Sequence, residues 1–192
     1  MSQQILLKNG SLTYFPKFLN PNEIDHLSKY ISKEIKFEQG EISLFGKKYL
    51  IPRLESFHSK NNLTYTYSGK ILQTKPFTKE LSILCDRIET VTNSKYNCVL
   101  INYYRDGMDS NGWHADNEKE LGENPVIASL SIGVTRRFDL KNIFETEFFS
   151  IPLHSGDLLL MDKQIQNHYK HQIAKSKKIK DYRINLTFRW IK

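Results

Sequence analysis

Hydrophobic and polar positions alternate strictly in the run from Tyr182 to Trp190, near the end of the chain, which predicts a β-strand. Its polar face carries Arg183, Asn185, Thr187 and Arg189. Its apolar face carries Ile184, Leu186, Phe188 and Trp190. Unpaired buried charge is costly, so two arginines in so apolar a run indicate a bound anion. Ordinary pairing with surface acids is the alternative.

Two amphipathic helices are predicted upstream of this strand. Asn20, Pro21 and Glu23 have the order of a capping box with proline at the first helical position. The apolar face of that helix carries Ile24, Leu27, Ile31 and Ile35. A second helix is predicted from Thr78 to Val91, and its inward positions are Leu81, Leu84, Cys85, Ile88 and Val91.

Short β-runs separated by glycines follow residue 97. They are Cys98–Tyr104, Val126–Val134, Arg137–Leu140, Glu147–Leu153, Asp157–Met161 and Tyr182–Trp190. This order predicts an α+β, mainly β fold, a sandwich or jelly roll with the N-terminal helices packed outside. We expect one domain over residues 1–192, with helices and hairpins in 1–96 and the jelly-roll core in 97–192.

Composition narrows the class of partner. The chain has 192 residues, a formal charge of +7 and a hydrophobic content of 39%, which fits a globular protein with a polyanionic partner. Two cysteines in apolar settings are expected to be reduced core residues. No run reaches membrane-spanning length or resembles a secretion signal. We therefore expect an intracellular monomer, cytoplasmic in a prokaryote and nuclear in a eukaryote.

A metal site is the chemistry that the polar residues favour. His114 and Asp116 stand two positions apart, so in extended chain both side chains point the same way. His168 or His171 can supply a third ligand. One carboxylate and two imidazoles form the facial triad of non-heme Fe(II) oxygenases, although a lone His-x-Asp is usually an ordinary loop.

The motifs together resemble the AlkB family of Fe(II)- and 2-oxoglutarate-dependent nucleic-acid dealkylases. They are Asn102-Tyr103-Tyr104, His114-Ala115-Asp116, His171 and Arg183-Ile184-Asn185-Leu186-Thr187-Phe188-Arg189. The resemblance implies a double-stranded β-helix and a reaction that uses Fe(II), 2-oxoglutarate and O2. It favours His114, Asp116 and His171 as metal ligands, with His168 as the competitor for the third place.

The same resemblance assigns five residues to 2-oxoglutarate. Arg189 and Asn102 would face its oxoacid end, and Arg183, Tyr104 and Asn185 would hold its far carboxylate. Routine strand polarity and a packed ring are the alternatives for Asn102 and Tyr104.

A base pocket is also implied, because a methyl group on a pairing edge is reached only in a flipped base. Tyr65, Tyr67, Ser68 and Glu118 are its predicted residues, by resemblance to family members that prefer double-stranded DNA. Two core tyrosines in a hairpin and a solvated loop acid are the alternative interpretations. Trp113 departs from the more polar residue that this branch has beside the first histidine.

Phe45 is predicted to be a wedge inserted into duplex DNA, because an apolar ring beside glycine and lysines suits that role. Lys47, Lys48, Lys177 and Lys178 are predicted phosphate contacts. The alternative for Phe45 is a hairpin turn whose ring points inward. The alternative for Lys177 and Lys178 is an ordinary solvated loop.

The activity implied is oxidative demethylation of 1-methyladenine and 3-methylcytosine in DNA, with base flipping. The competing hypotheses are an enzyme that prefers RNA or single strands, and a nucleic-acid-binding module without catalysis.

Overall fold

A computed structural model describes residues 1–44, 46–61, 63–67, 70–162 and 164–192. For residues 43–44, 64–67 and 70–73 it describes the backbone and not the side chains. The helices are α1 (Pro21–Glu34), α2 (Lys79–Thr92), α3 (Ile165–His168) and a 3-10 turn at Lys119–Leu121. The strands of the first half are β1 (Gln3–Leu7), β2 (Gly10–Phe15), β3 (Glu41–Leu44), β4 (Lys47–Leu50), β5 (Leu54–Ser59), β6 (Thr64–Tyr67), β7 (Lys70–Gln73) and β8 (Lys75–Pro76). Those of the second half are β9 (Cys98–Tyr104), β10 (Asn111–His114), β11 (Ile127–Gly133), β12 (Arg136–Asn142), β13 (Phe148–Leu153), β14 (Leu158–Met161), β15 (Tyr169–Ile173) and β16 (Arg183–Arg189).

The larger sheet has the strand order β1-β2-β14-β11-β16-β9-β5-β8. Strand β16 lies at its centre, antiparallel to β11 on one side and to β9 on the other. Every residue of β16 is buried, because the sheet is covered on both faces. The predicted alternation therefore holds, with the polar residues on one buried face and the apolar residues on the other.

The smaller sheet has the order β10-β15-β12-β13 and packs against the larger one. Leu100 and Met161 of the larger sheet share a buried cluster with Leu140 and Ile173 of the smaller sheet. Two facing, mainly antiparallel sheets around such a core confirm the predicted mainly β jelly roll.

The helices α1 and α2 cover the outer face of the larger sheet, as the sequence predicts. Leu27 and Ile31 of α1 and Leu81 of α2 share a second cluster with Ile184 and other apolar residues of the sheet. Asn20 forms the predicted capping box with Glu23 at the start of α1. Free Cys85 and Cys98 are buried, as predicted.

Two residues that the sequence assigns to apolar faces are exposed in the structure. Val91 is 43% exposed, because it lies in the last turn of α2 beyond the buried stripe. Trp190 is 48% exposed, because β16 ends at Arg189 and the chain leaves the sheet there.

The N-terminal half contributes strands to the larger sheet. Strands β1, β2, β5 and β8 lie in the same sheet as β9 and β16. Strands from before and after residue 96 therefore build one sheet. The division of the domain at that residue stays a prediction of the sequence. None of the helices in the described ranges is long and apolar enough to cross a membrane.

Candidate metal and 2-oxoglutarate site

One cavity between the two sheets gathers the eight residues predicted for metal and 2-oxoglutarate. They are Asn102, Tyr104, His114, Asp116, His171, Arg183, Asn185 and Arg189. The arrangement follows from strand order, because β9 and β16 are neighbours in the larger sheet and β10 pairs with β15 in the smaller one. Residues distant in sequence therefore face one another across the core.

His114, Asp116 and His171 form a compact group of potential metal ligands. One ligand atom of each residue lies within 4.8 Å of the others. His114 and His171 are directly opposite each other in the β10–β15 pair, and their rings are 4.3 Å apart between centroids. The sheet register therefore sets the two imidazoles side by side, and the chain after β10 brings the carboxylate to them.

Asp116 is a buried carboxylate held in its ionised form. Its Oδ1 accepts a hydrogen bond from Nη2 of Arg189 at 2.7 Å. Burial alone would raise the pKa of Asp116, but the charge and hydrogen bond of Arg189, together with His171 and His114, outweigh burial, and the pKa falls to about 2. The backbone N–H of Asp116 also donates to Oε1 of Gln166 at 2.9 Å, which fixes the loop that carries the carboxylate.

The two imidazoles are neutral at physiological pH. Burial lowers the pKa of His171 to about 3, and the neighbouring His114 adds to that effect. Burial also lowers the pKa of His114. Nδ1 of His114 lies 2.7 Å from the carbonyl oxygen of Gly112, to which it donates, and Nε2 is then left with its lone pair toward the cavity.

These protonation states fit a divalent iron. Metal binding requires a deprotonated carboxylate and neutral imidazoles, and this group supplies both. Two histidines and one carboxylate are the ligand set of non-heme Fe(II) oxygenases. The carbonyl of Gly112 supplies the acceptor that usually orients a ligating histidine.

Arg183 fits a bound carboxylate. It is 1% exposed, and its Nη2 donates to Oγ of Ser131 at 2.9 Å. Its Nε and Nη1 lack hydrogen-bond partners among the described residues. Burial, with Arg136 nearby, lowers the pKa of Arg183 to about 10, so the guanidinium is charged at neutral pH. A buried cation with two open donors is complementary to a carboxylate in the cavity.

Asn102 and Asn185 are held in place by neighbours. Nδ2 of Asn185 donates to Oγ of Ser129 at 2.8 Å. Oδ1 of Asn102 accepts from Nε of the buried Arg53 at 2.8 Å. Sequence reasoning missed Arg53, because a single arginine outside any motif gives no signal of burial.

Sequence reasoning also missed Asn111 and Gln166. Nδ2 of Asn111 lies 3.1 Å from Nε2 of His114, so it lies beside the proposed ligand atom. Gln166 is buried and bonds the backbone at Asp116. The spacing of Asn111, three residues before His114, is a weak signal that could have found it.

His168 lies outside the ligand group. It ends α3, and its ring packs 5.7 Å from that of Phe144. Among the described residues, the potential metal ligands that lie together are His114, Asp116 and His171. The geometry thus favours His171 over the competing histidine.

The other predicted residues lie outside the cavity or outside the described residues. Glu118 is half-buried and immediately precedes the 3-10 turn. The predicted phosphate contacts Lys47, Lys48, Lys177 and Lys178 are all exposed. Phe45 and Ser68 lie outside the described residues, as do the side chains of Tyr65 and Tyr67.

Comparisons with known proteins agree with this geometry. Residues 11–189 match the model of the 2OG-Fe(II) oxygenase superfamily. The chain is 35% identical to the bovine (Bos taurus) DNA oxidative demethylase ALKBH2, over 88% of this chain and 65% of that protein. It is 34% identical to human (Homo sapiens) ALKBH2, over 88% of this chain and 69% of that protein.

A third relative and a solved structure extend the comparison. The chain is 34% identical to the mouse (Mus musculus) alpha-ketoglutarate-dependent dioxygenase alkB homolog 3, over 92% of this chain and 65% of that protein. It therefore spans about two thirds of the length of these relatives. The solved structure of OsALKBH1 has a TM-score of 0.67 at 17% identity, over 98% of this chain and 100% of the other, which supports the fold.

Proposed function

Because this chain belongs to the 2OG-Fe(II) oxygenase superfamily as a member of its AlkB family, we propose that it demethylates N-alkylated bases in DNA by oxidation. The substrates are 1-methyladenine and 3-methylcytosine. The observation that carries the proposal is the group of His114, Asp116 and His171 in one cavity with the open guanidinium of Arg183.

Each residue has a role in this proposal. His114, Asp116 and His171 hold the Fe(II), and Arg183, with Tyr104 and Asn185, holds the far carboxylate of 2-oxoglutarate. The bound iron and cosubstrate supply the oxidation of the methyl group by O2. Arg189 keeps Asp116 ionised, since its Nη2 is 2.7 Å from the carboxylate.

The cavity walls would position the reactants. Asn102 and Arg189 would face the oxoacid end of 2-oxoglutarate, and Arg53 fixes the amide of Asn102 through its bond to Oδ1. A base is flipped into the site, with Tyr65, Tyr67, Ser68 and Glu118 forming its pocket. The cationic 1-methyladenine and 3-methylcytosine are complementary to a carboxylate such as that of Glu118.

Duplex DNA is the proposed substrate. Similarity to ALKBH2 proteins and the net charge of +7 favour it, with Phe45 as wedge and the exposed lysines on phosphates. The similarity to alkB homolog 3 proteins supports the second candidate, an enzyme that prefers single strands or RNA.

The proposal is tested with Asp116→Ala, and Asp25→Ala on the exposed face of α1 is the matched control. We expect Asp116→Ala to lose bound iron and demethylation while its far-ultraviolet circular dichroism stays that of a folded protein. The control, at a side chain that is 62% exposed, keeps both. Demethylation that persists in Asp116→Ala would refute the ligand assignment. A folded, iron-loaded protein that produces neither succinate nor repaired base would favour the non-catalytic binding module.

A further inference from the structure

The smaller sheet has a second face that points away from the cavity. Lys141 of β12 stands directly opposite Phe148 of β13 and Lys170 of β15, so these side chains share a face. Lys170 precedes His171, and Trp113 precedes His114, so each points to the side opposite the proposed metal ligands. We call Trp113, Arg137, Lys141, Phe148 and Lys170 the outer patch.

Aromatic rings and a cation are interleaved in the outer patch. Nζ of Lys141 lies 4.5 Å from the centroid of the Trp113 ring. The ring of Phe148 meets that of Trp113 edge-on, with centroids 6.4 Å apart and planes at 75°. Phe148 is 56% exposed, although such a ring gains free energy from burial. More than half of the Phe148 side chain is therefore open to contact with a partner.

The charge of the outer patch is positive. Lys141 and Lys170 form no ion pair with any described residue. Asp139 is the acid within this part of the sheet, and it is only 6% exposed. Its Oδ1 already accepts hydrogen bonds from Oγ of Ser150 at 2.7 Å and Nη2 of Arg137 at 3.3 Å. The groups left to meet a partner are the exposed Arg137, Phe148 and Lys170, with the half-buried Trp113 and Lys141 beside them.

We propose that the outer patch binds single-stranded nucleic acid that flanks the modified base. Bases stack on Trp113 and Phe148, and phosphates pair with Arg137, Lys141 and Lys170, which is how proteins grip single strands without reading sequence. Paired bases in a duplex offer no open face to such rings. A protein partner is less favoured, because lysine is depleted in protein–protein interfaces.

The position of the patch connects it to the cavity. Strand β10 is the edge of the smaller sheet, and it carries Trp113 on the outer side next to His114 on the inner side. A nucleic-acid strand that passes over this edge of the sheet reaches both Trp113 and the cavity beside His114. The inference rests on the proposed function, in that the substrate is a nucleic acid. It concerns the single-stranded substrate named there as the second candidate, for which the outer patch holds the unpaired flank.

The test measures the binding of an unmodified, labelled 12-nucleotide oligothymidylate by fluorescence anisotropy. We expect Phe148→Ala to weaken binding about tenfold, the loss of one stacked base. Ile83→Ala, on α2 at a residue that is 59% exposed, is the matched control and leaves affinity unchanged. The double variant Lys141→Gln/Lys170→Gln lowers the magnitude of the slope of log Kobs against log salt by about 1.4, which is the change expected for the loss of two single-strand phosphate contacts. Lys29→Gln/Lys33→Gln on α1 is its control and keeps the slope.

A second readout locates the base directly. Trp190→Phe leaves Trp113 as the single tryptophan, and we expect the oligonucleotide to quench its emission. Affinity unchanged in both patch variants, or an unquenched Trp113, would overturn the inference. Self-association that Phe148→Ala abolishes, with oligonucleotide binding unaffected, would overturn it in favour of a protein-binding surface.

Turnover of a 1-methyladenine trinucleotide, which offers the outer patch a single flanking nucleotide on each side, separates this inference from the proposed function. If wild type repairs the trinucleotide but the patch variants bind the 12-mer normally, the inference alone fails. If wild type repairs neither the trinucleotide nor a longer strand, the proposed function fails.

Discussion

Replacement of Arg183 by methionine tests the 2-oxoglutarate site and the folding energetics together. The guanidinium is 1% exposed, and its Nε and Nη1 have no hydrogen-bond partner among the described residues. Each hydrogen bond to a charged group contributes about 1.5–3 kcal/mol. Two such bonds to a carboxylate are thus worth at least about 3 kcal/mol, so we expect Arg183→Met to weaken 2-oxoglutarate binding a hundredfold or more.

The same substitution should not destabilise the protein in the absence of 2-oxoglutarate. Burial lowers the pKa of Arg183 to about 10 from 12.5, so charging this group opposes folding at neutral pH. That shift corresponds to a cost of about 3 kcal/mol for the buried charge, which the substitution removes. The substitution also removes the hydrogen bond to Ser131, and this loss partly offsets the gain. We expect the ligand-free variant to unfold at the same or a higher temperature than wild type.

Two measurements check this pair of outcomes. Anaerobic titration calorimetry of the Fe(II)-loaded protein gives the Kd for 2-oxoglutarate, and thermal unfolding without ligand gives the change in stability. Arg137→Met is the matched control, because that side chain is 69% exposed and lies outside the cavity. Unchanged 2-oxoglutarate affinity, or a large loss of ligand-free stability, would refute the reasoning.

Three further predictions address the substrate and the fold. Phe45→Ala should lower activity on duplex DNA much more than on single strands, as measured by initial rates on both; equal losses would eliminate the wedge. Lys177→Gln/Lys178→Gln should weaken duplex binding and reduce its salt slope by about 1.8, two phosphate contacts, in anisotropy titrations. Glu89→Gln should destabilise the protein by about 3 kcal/mol at pH 7 in urea unfolding and flatten its acid dependence.

The prediction for Glu89 follows from its surroundings. Burial tends to raise the pKa of this carboxyl, but bonds from Lys95, Lys60 and the backbone N–H of Tyr96 lower it to about 2. A pKa below the unfolded value of 4.5 gives stability that is fully present above pH 4.5 and lost as the pH falls toward 2. Glu34→Gln, at a side chain that is 55% exposed, is the control. An acid dependence like that of wild type in Glu89→Gln would contradict this assignment.

Periodicity predicted the parts of the fold that carry strong local signals. The capping box at Asn20 and the alternation from Arg183 to Arg189 are set by neighbouring residues, so they are readable from the chain. Strands β10 and β15 were not predicted, because each is short and its pairing with the other depends on distant register. That register is what sets His114 opposite His171.

The motif residues of the candidate site could be predicted from the sequence. The residues that hold them in place through hydrogen bonds could not. His114, Asp116 and His171 were predicted from ligand chemistry and resemblance, and the structure brings them together. Arg53 and Gln166 act through single long-range hydrogen bonds, which leave no pattern in the sequence. The bond from Arg189 to Asp116, which keeps the carboxylate ionised, was also unpredicted, although both residues were assigned to the site.

Repair of one defined lesion tests the central claim most directly. The protein is loaded anaerobically with Fe(II) and 2-oxoglutarate, a duplex oligonucleotide with a single 1-methyladenine is added, and air is admitted. Mass spectrometry then follows the base, succinate and formaldehyde. The account predicts unmodified adenine with stoichiometric formaldehyde and succinate, and none of these in Asp116→Ala. Intact 1-methyladenine and no succinate from folded, iron-loaded protein would contradict it.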